Sequence, residues 1–101
     1  KNKYFLLKVL KKNNKYLLVK NDKFNFLKNF NIFPMYELNK PKNFTQNLNL
    51  KMSNMNMNIK IEYNKTIKST HLSYWIDPKK LRNYTLPSFT KKIVRYLENN
   101  K

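Results

Sequence analysis

Apolar and polar residues alternate through Met55, Met57, Ile59, Ile61 and Tyr63, with Asn56, Asn58, Lys60 and Glu62 between them. A period of two sends successive side chains to opposite faces of an extended chain, so this stretch predicts a half-buried strand. Two earlier apolar runs, residues 4–10 and 16–20, predict a β-hairpin across Lys11, Lys12, Asn13, Asn14 and Lys15. Asn tolerates positive φ better than other residues that carry a side chain. Asn13 and Asn14 therefore stand where a tight turn ordinarily takes Asn-Gly. Asn21, Asn29 and Asn31 are placed to serve the next loop in the same way. Residues 30–38 form a third extended segment, and Pro34 inside it predicts an edge, a strand end or a bend. Residues 39–49 carry Pro41, several Asn and no sustained period, which predicts a loop with at most one helical turn. Asn64 and Lys65 begin a turn, from which residues 67–76 are expected to return as the antiparallel neighbour of the Met55 strand.

The period changes after Trp75. Asp77 can accept from free backbone N–H groups while Pro78 takes the first helical position, where its missing N–H costs nothing; Pro87 is expected to repeat the device. Phe89, Ile93 and Leu97 then recur at i, i+4, i+8 and predict a helix with one apolar stripe. Lys91, Lys92 and Arg95 fall largely on its other faces.

Composition narrows the possibilities. A chain of 101 residues suits one domain, residues 1–101, and its 41% hydrophobic and 15% aromatic content supplies a core. A domain this size buries roughly 60 to 65% of the surface its unfolded form exposes. No run approaches the roughly 18 apolar residues of a membrane span, and the Lys-interrupted start does not resemble a signal peptide. A first residue other than Met is expected of an excerpt from a longer protein. There is no Cys, so disulfides and thiolate metal sites are excluded, and the lone His71 cannot form a metal cluster. There is also no Gly, and Lys and Asn are crowded, as in proteins of AT-rich coding DNA. The net charge of +17 nevertheless attracts phosphate polyanions, which release counterions on binding.

Two segments carry a family resemblance. Phe33-Pro34-Met35-Tyr36-Glu37 follows the run ending in YLLVK and the loop KFNFLKNF. The chain closes on W-x-x-P-x-x-L-x-x-x-x-L-P-x-x-x-K-K-I, from Trp75 through Leu81, Leu86, Pro87, Lys91 and Lys92. In that order, and over nearly the whole chain, they resemble the C-terminal domain of MutY-type adenine DNA glycosylases. The resemblance implies an α+β, Nudix-like fold: a mixed and antiparallel β-sheet with a short helix and a C-terminal helix packed on it. Residues 39–50 are too short for the family's full central helix, which is expected to be reduced or absent, leaving less cover on one face.

The resemblance further implies recognition rather than cleavage. In the family a separate N-terminal domain removes adenine mispaired with 8-oxoguanine, and the C-terminal domain senses the oxidised base. The sensing triplet, aromatic-Ser-His, corresponds here to Met52, Ser53 and Asn54. Met52 keeps an apolar side chain without a stacking face, and Asn54 replaces His. The implied partners are double-stranded DNA containing 8-oxoguanine:A and a covalently linked glycosylase domain, with no membrane, in a monomer of the bacterial cytoplasm or of an organelle. Lys91, Lys92 and Arg95 are the candidate phosphate contacts. No cofactor is expected in this chain; an iron–sulfur cluster is implied only in the N-terminal domain.

Oxidation turns guanine N7 from an acceptor into an N–H donor and adds a carbonyl at C8. Ser53, with one O–H donor and two lone pairs, can serve both atoms. Other residues have plainer readings. Trp75 is expected as a core or sheet-edge anchor, and Phe24, Phe26, Leu27 and Phe30 as loop side chains tucked onto the sheet rather than a basic-aromatic surface. Glu37 is read as structural and His71 as a surface strand residue. A Nudix pyrophosphatase needs a glycine-hinged helix bearing several Glu to hold divalent cations, and no carboxylate lies between Glu37 and Glu62. A small basic RNA-binding or ribosomal-type protein is the alternative that charge and aromatics allow. Glycosylase chemistry needs a carboxylate at the scissile sugar bond, and five acidic residues in five different elements supply no paired site.

Overall fold

In the computed structural model, which describes residues 1–67 and 73–100, the chain bends from one sheet into another at Leu10. Strand β1 (Asn2–Val9) belongs to a first sheet, whereas β2 (Lys11–Lys12) and β3 (Lys15–Lys20) form a tight hairpin in a second. Asn13 and Asn14 both have positive φ, 51° and 62°, as the two central residues of a type I′ turn require. The hairpin is therefore present, but its first arm is Lys11–Lys12 and not the residue 4–10 run. The Leu17 N–H donates to the Leu10 carbonyl at 3.0 Å, which fixes the crossover.

The first sheet runs in the order β5 (Met35–Leu38), β1, β7 (Met55–Tyr63), β6 (Leu48–Met52). β1 and β7 are parallel, with Asn2 opposite Asn56 and Val9 opposite Tyr63; the outer pairs are antiparallel. The alternation from Met55 to Tyr63 is thus a strand, with Met57 and Ile59 buried. Its antiparallel neighbour is β6, which lies within and just after the stretch expected to be loop. Of the stretch 67–76 expected in that role, residues 68–72 lie outside the described residues, and β8 (Ser73–Ile76) pairs instead with β3 in the second sheet. β4 (Asn31–Ile32) lies on the other side of β3. Pro34 separates β4 from β5, and its carbonyl accepts from the Lys8 N–H at 2.8 Å, so the proline marks the bend it predicts.

A 3-10 helix (Pro78–Asn83) and α1 (Ser88–Asn99) complete the α+β architecture. Asp77 caps the first by accepting from the Lys79 N–H at 3.0 Å, with Pro78 as its first residue. Pro87 departs from expectation: it occupies the cap position of α1, with extended backbone, and offers no side-chain hydrogen bond. Residues 39–47 contain turns and bends but no helix, as expected of a trimmed central segment. Phe44 packs edge-on against Tyr4 there, at 5.3 Å between ring centroids, and Tyr36 stays 42% exposed on β5.

One hydrophobic cluster joins both sheets to the helix. Phe5, Leu7 and Val9 of β1 meet Tyr16 and Leu18 of β3, and Phe89, Ile93 and Leu97 of α1 close it. The predicted helical stripe is the buried one. Thr90 adds a polar tie: its buried hydroxyl donates to the Asn31 carbonyl at 2.8 Å.

Candidate nucleic-acid interface

The triplet Met52, Ser53 and Asn54 sits at the tip of the β6–β7 hairpin, where Met52 pairs with Met55 and two residues make the turn. Asn54 does not have a positive φ, whereas Ser53 has a positive φ of 55°. An L-residue in that region costs about 1–2 kcal/mol, so the sheet on both sides must hold it there. The restraint is visible. Asn49 Nδ2 donates to Asn56 Oδ1 at 2.9 Å and to Asn58 Oδ1 at 3.1 Å, and Asn56 Nδ2 donates to Asn2 Oδ1 at 2.6 Å. This asparagine ladder ties β6, β7 and β1 together just behind the turn. Lys1 closes its end: its carbonyl accepts from the Asn56 N–H at 2.8 Å, and its nitrogen lies 3.4 Å from the Asn54 carbonyl.

The three side chains divide between two environments. Met52 is half-buried and packs, with Met55, against the main hydrophobic cluster. Ser53 and Asn54 are exposed, and none of the described hydrogen bonds uses either side chain. The turn thus exposes one hydroxyl and one carboxamide, both able to donate and accept.

Lys91, Lys92 and Arg95 lie on a different element. Lys92 and Arg95 are exposed on α1 and Lys91 is half-buried, with Lys79, Lys80 and Arg82 on the preceding short helix. No described hydrogen bond or ion pair joins these cations to the Ser53 turn. Four of the five acidic residues are otherwise engaged: Lys3 pairs with Glu37 at 3.2 Å, Lys8 with Glu62 at 3.7 Å and Lys11 with Glu98 at 3.2 Å, while Asp77 caps its helix. Among the described residues no three His, Cys, Asp or Glu gather as metal ligands would. No described helix is long and apolar enough to cross a membrane.

The plainer readings can also be placed. Trp75 is 38% exposed on β8, opposite Leu17, as a sheet-edge residue. Phe24, Phe26 and Leu27 tuck against the cluster, with Phe24 and Phe26 stacked at 5.0 Å and both edge-on to Phe5. Phe30 does not follow them and remains 46% exposed. Glu37 is in the ion pair given above, and His71 lies outside the described residues. Sequence reasoning missed the asparagine ladder. The alternation of Asn56 and Asn58 was its signal, but the partners Asn2 and Asn49 were not recognisable before the strand order was known.

No protein-family model matches this chain, and no curated protein does. Among solved structures it is similar to the C-terminal domain of mouse MUTYH, seen in a crystal structure of its complex with human PCNA. The TM-score is 0.65 at 14% sequence identity, covering 99% of this chain and 90% of that one. At such identity the likeness is one of fold, and it spans both sheets and the closing helix.

Proposed function

We propose that this chain is a DNA-binding accessory domain of an adenine DNA glycosylase, and that it senses 8-oxoguanine opposite adenine through the Ser53 turn. The observation that carries the reading is the likeness in fold to a MUTYH C-terminal domain over 99% of the chain. The position of Ser53 supports it, because the one residue retained from the family's sensing triplet stands exposed on a braced hairpin tip. Its hydroxyl can accept from N7–H of the oxidised base or donate to O8, a choice that guanine does not offer. Lys91, Lys92 and Arg95 supply phosphate contacts that position the duplex without reading its sequence. Adenine removal belongs to the linked glycosylase domain. In this chain Glu37, Glu62 and Glu98 are held by lysines and Asp77 by a helix end, so these carboxylates are committed elsewhere.

The test compares the parent protein with a version lacking residues 1–101 on 8-oxoguanine:A and G:A duplexes. Loss of this domain should reduce the preference for the oxidised duplex. An equal loss of affinity for both would leave the domain as general electrostatic ballast. Tighter binding of structured RNA than of either duplex would favour a basic RNA-binding protein.

A further inference from the structure

Between the edge strand β5 and the loop after β3 lies a cleft of about 130 Å³, and we propose that it binds an unstacked nucleobase carrying a phosphate. The site is distinct from the Ser53 turn, and the proposal stands whether or not that turn reads a lesion. Its floor is apolar, made by the buried side chains of Ile32, Phe33 and Met35. Its rim carries Lys20, Lys23 and the exposed ring of Tyr36.

Tyr36 gives the cleft its chemistry. The Lys23 ammonium stands 4.1 Å from the ring centroid and that of Lys8 5.3 Å, so two cations lie close to a partly exposed ring. A lysine over an exposed ring is held more weakly than a base stacked on one. An entering base therefore displaces Lys23 from the ring, and the long side chain follows the charge to the phosphate. Lys20, on the same rim, is available to that phosphate. Lys8 is less so, because Glu62 lies 3.7 Å from its ammonium. Asp22 also lines the cleft, and its carboxylate can accept from a base N–H. β5 pairs with β1 alone among the described strands, so its other edge presents further backbone donors and acceptors.

The wall is formed before any ligand arrives. Asn21 is 2% exposed and its carboxamide holds the loop from both sides. Nδ2 donates to the Phe26 and Leu27 carbonyls at 2.6 and 3.0 Å, while Oδ1 accepts from the Lys23 and Phe24 N–H groups at 3.2 and 3.0 Å. Lys23 is thus anchored through its backbone, and only its side chain moves. A bare anion would not use the ring, and a neutral aromatic would not use the lysines. A nucleotide uses both.

The ligand chemistry has two sources, a free nucleotide or a strand with an extruded base, and two probes separate them: GMP and a single-stranded oligothymidylate. Intermolecular NOEs between base protons and the Tyr36 ring should appear with at least one probe. Affinity for that probe should fall about tenfold in Tyr36→Leu, be restored in Tyr36→Phe, and fall with a shallower salt dependence in Lys23→Gln. Lys12→Gln, at a lysine that does not line the cleft, should have little effect. Binding of GMP assigns a nucleotide site, and binding of the oligonucleotide alone assigns a strand contact. If neither probe binds, or if Tyr36→Leu binds as tightly as the parent, the proposal is overturned.

Discussion

The phenol of Tyr16 donates to Glu98 Oε2 across 2.5 Å, so one charge-assisted hydrogen bond ties the centre of the second sheet to the last turn of α1. Lys11 completes the group, with its ammonium 3.2 Å from the same oxygen and 5.0 Å from the Tyr16 ring centroid. Such a bond is shorter and stronger than a neutral one, and Tyr16 is only 2% exposed.

Stability should therefore depend on Tyr16 in a way that alkali reveals. Burial first, then the hydrogen bond and charge of Glu98, hold the phenol well above its ordinary value of 10.0. The folded state keeps the proton that the unfolded state gives up. The contribution is complete below about pH 10 and is lost above it, at up to about 1.4 kcal/mol per pH unit. Tyr16→Phe should cost about 1–2 kcal/mol near neutral pH and should lack this alkaline decline. Urea unfolding of both proteins from about pH 8 to pH 11 isolates the difference, since the lysines titrate in both.

At the hairpin tip, the variant chosen decides what is learned. Ser53→Ala removes the hydroxyl but leaves a Cβ in the left-handed region, whereas Ser53→Gly removes both and relieves roughly 1 kcal/mol of strain. If Ser53 reads the lesion, both variants of the full-length protein should lose about 1–2 kcal/mol of preference for 8-oxoguanine over guanine. Glycine should meanwhile be at least as stable as serine. Thermal melts with paired binding titrations check this, and a preference preserved in Ser53→Gly would make the residue a turn former only.

Asn21 should be among the most sensitive polar positions. Asn21→Ala strands two backbone carbonyls and two N–H groups of the 21–30 loop, in which Leu27 and Asn29 have φ 50° and 70°. A loss of roughly 3 kcal/mol is expected, with faster amide exchange at Lys23 and Phe24.

The helix cations should act through charge alone. Replacing Lys91 and Lys92 together by Gln should lower the slope of log affinity against log salt by up to about 2 on duplex DNA. Base preference should stay unchanged, and stability should move by less than about 0.5 kcal/mol, since Lys92 is exposed and Lys91 only half-buried. Salt-dependent fluorescence anisotropy on both duplexes provides the measurement.

Local chemistry was legible in the chain wherever a residue's own preferences settle its conformation. Asn13 and Asn14 announced a left-handed turn, Asp77 and Pro78 a capped helix start, and Phe89, Ile93 and Leu97 the face that α1 buries. The alternation from Met55 to Tyr63 likewise put Met57 and Ile59 inward, although Tyr63 at the strand end stays 62% exposed. Strand partners were a different matter, because backbone N–H and C=O groups are alike in every residue and period two assigns a face without assigning a neighbour. Only the tertiary structure set β1 parallel to β7, drew residues 48 and 49 out of an apparent loop into β6, and moved β8 to the second sheet. For the same reason, no local pattern could show that Asn2 and Asn49 brace the turn at Ser53, or that Lys8 and Lys23 flank Tyr36. Those groups meet through strand order and loop closure, where burial of the shared core outweighs local preference.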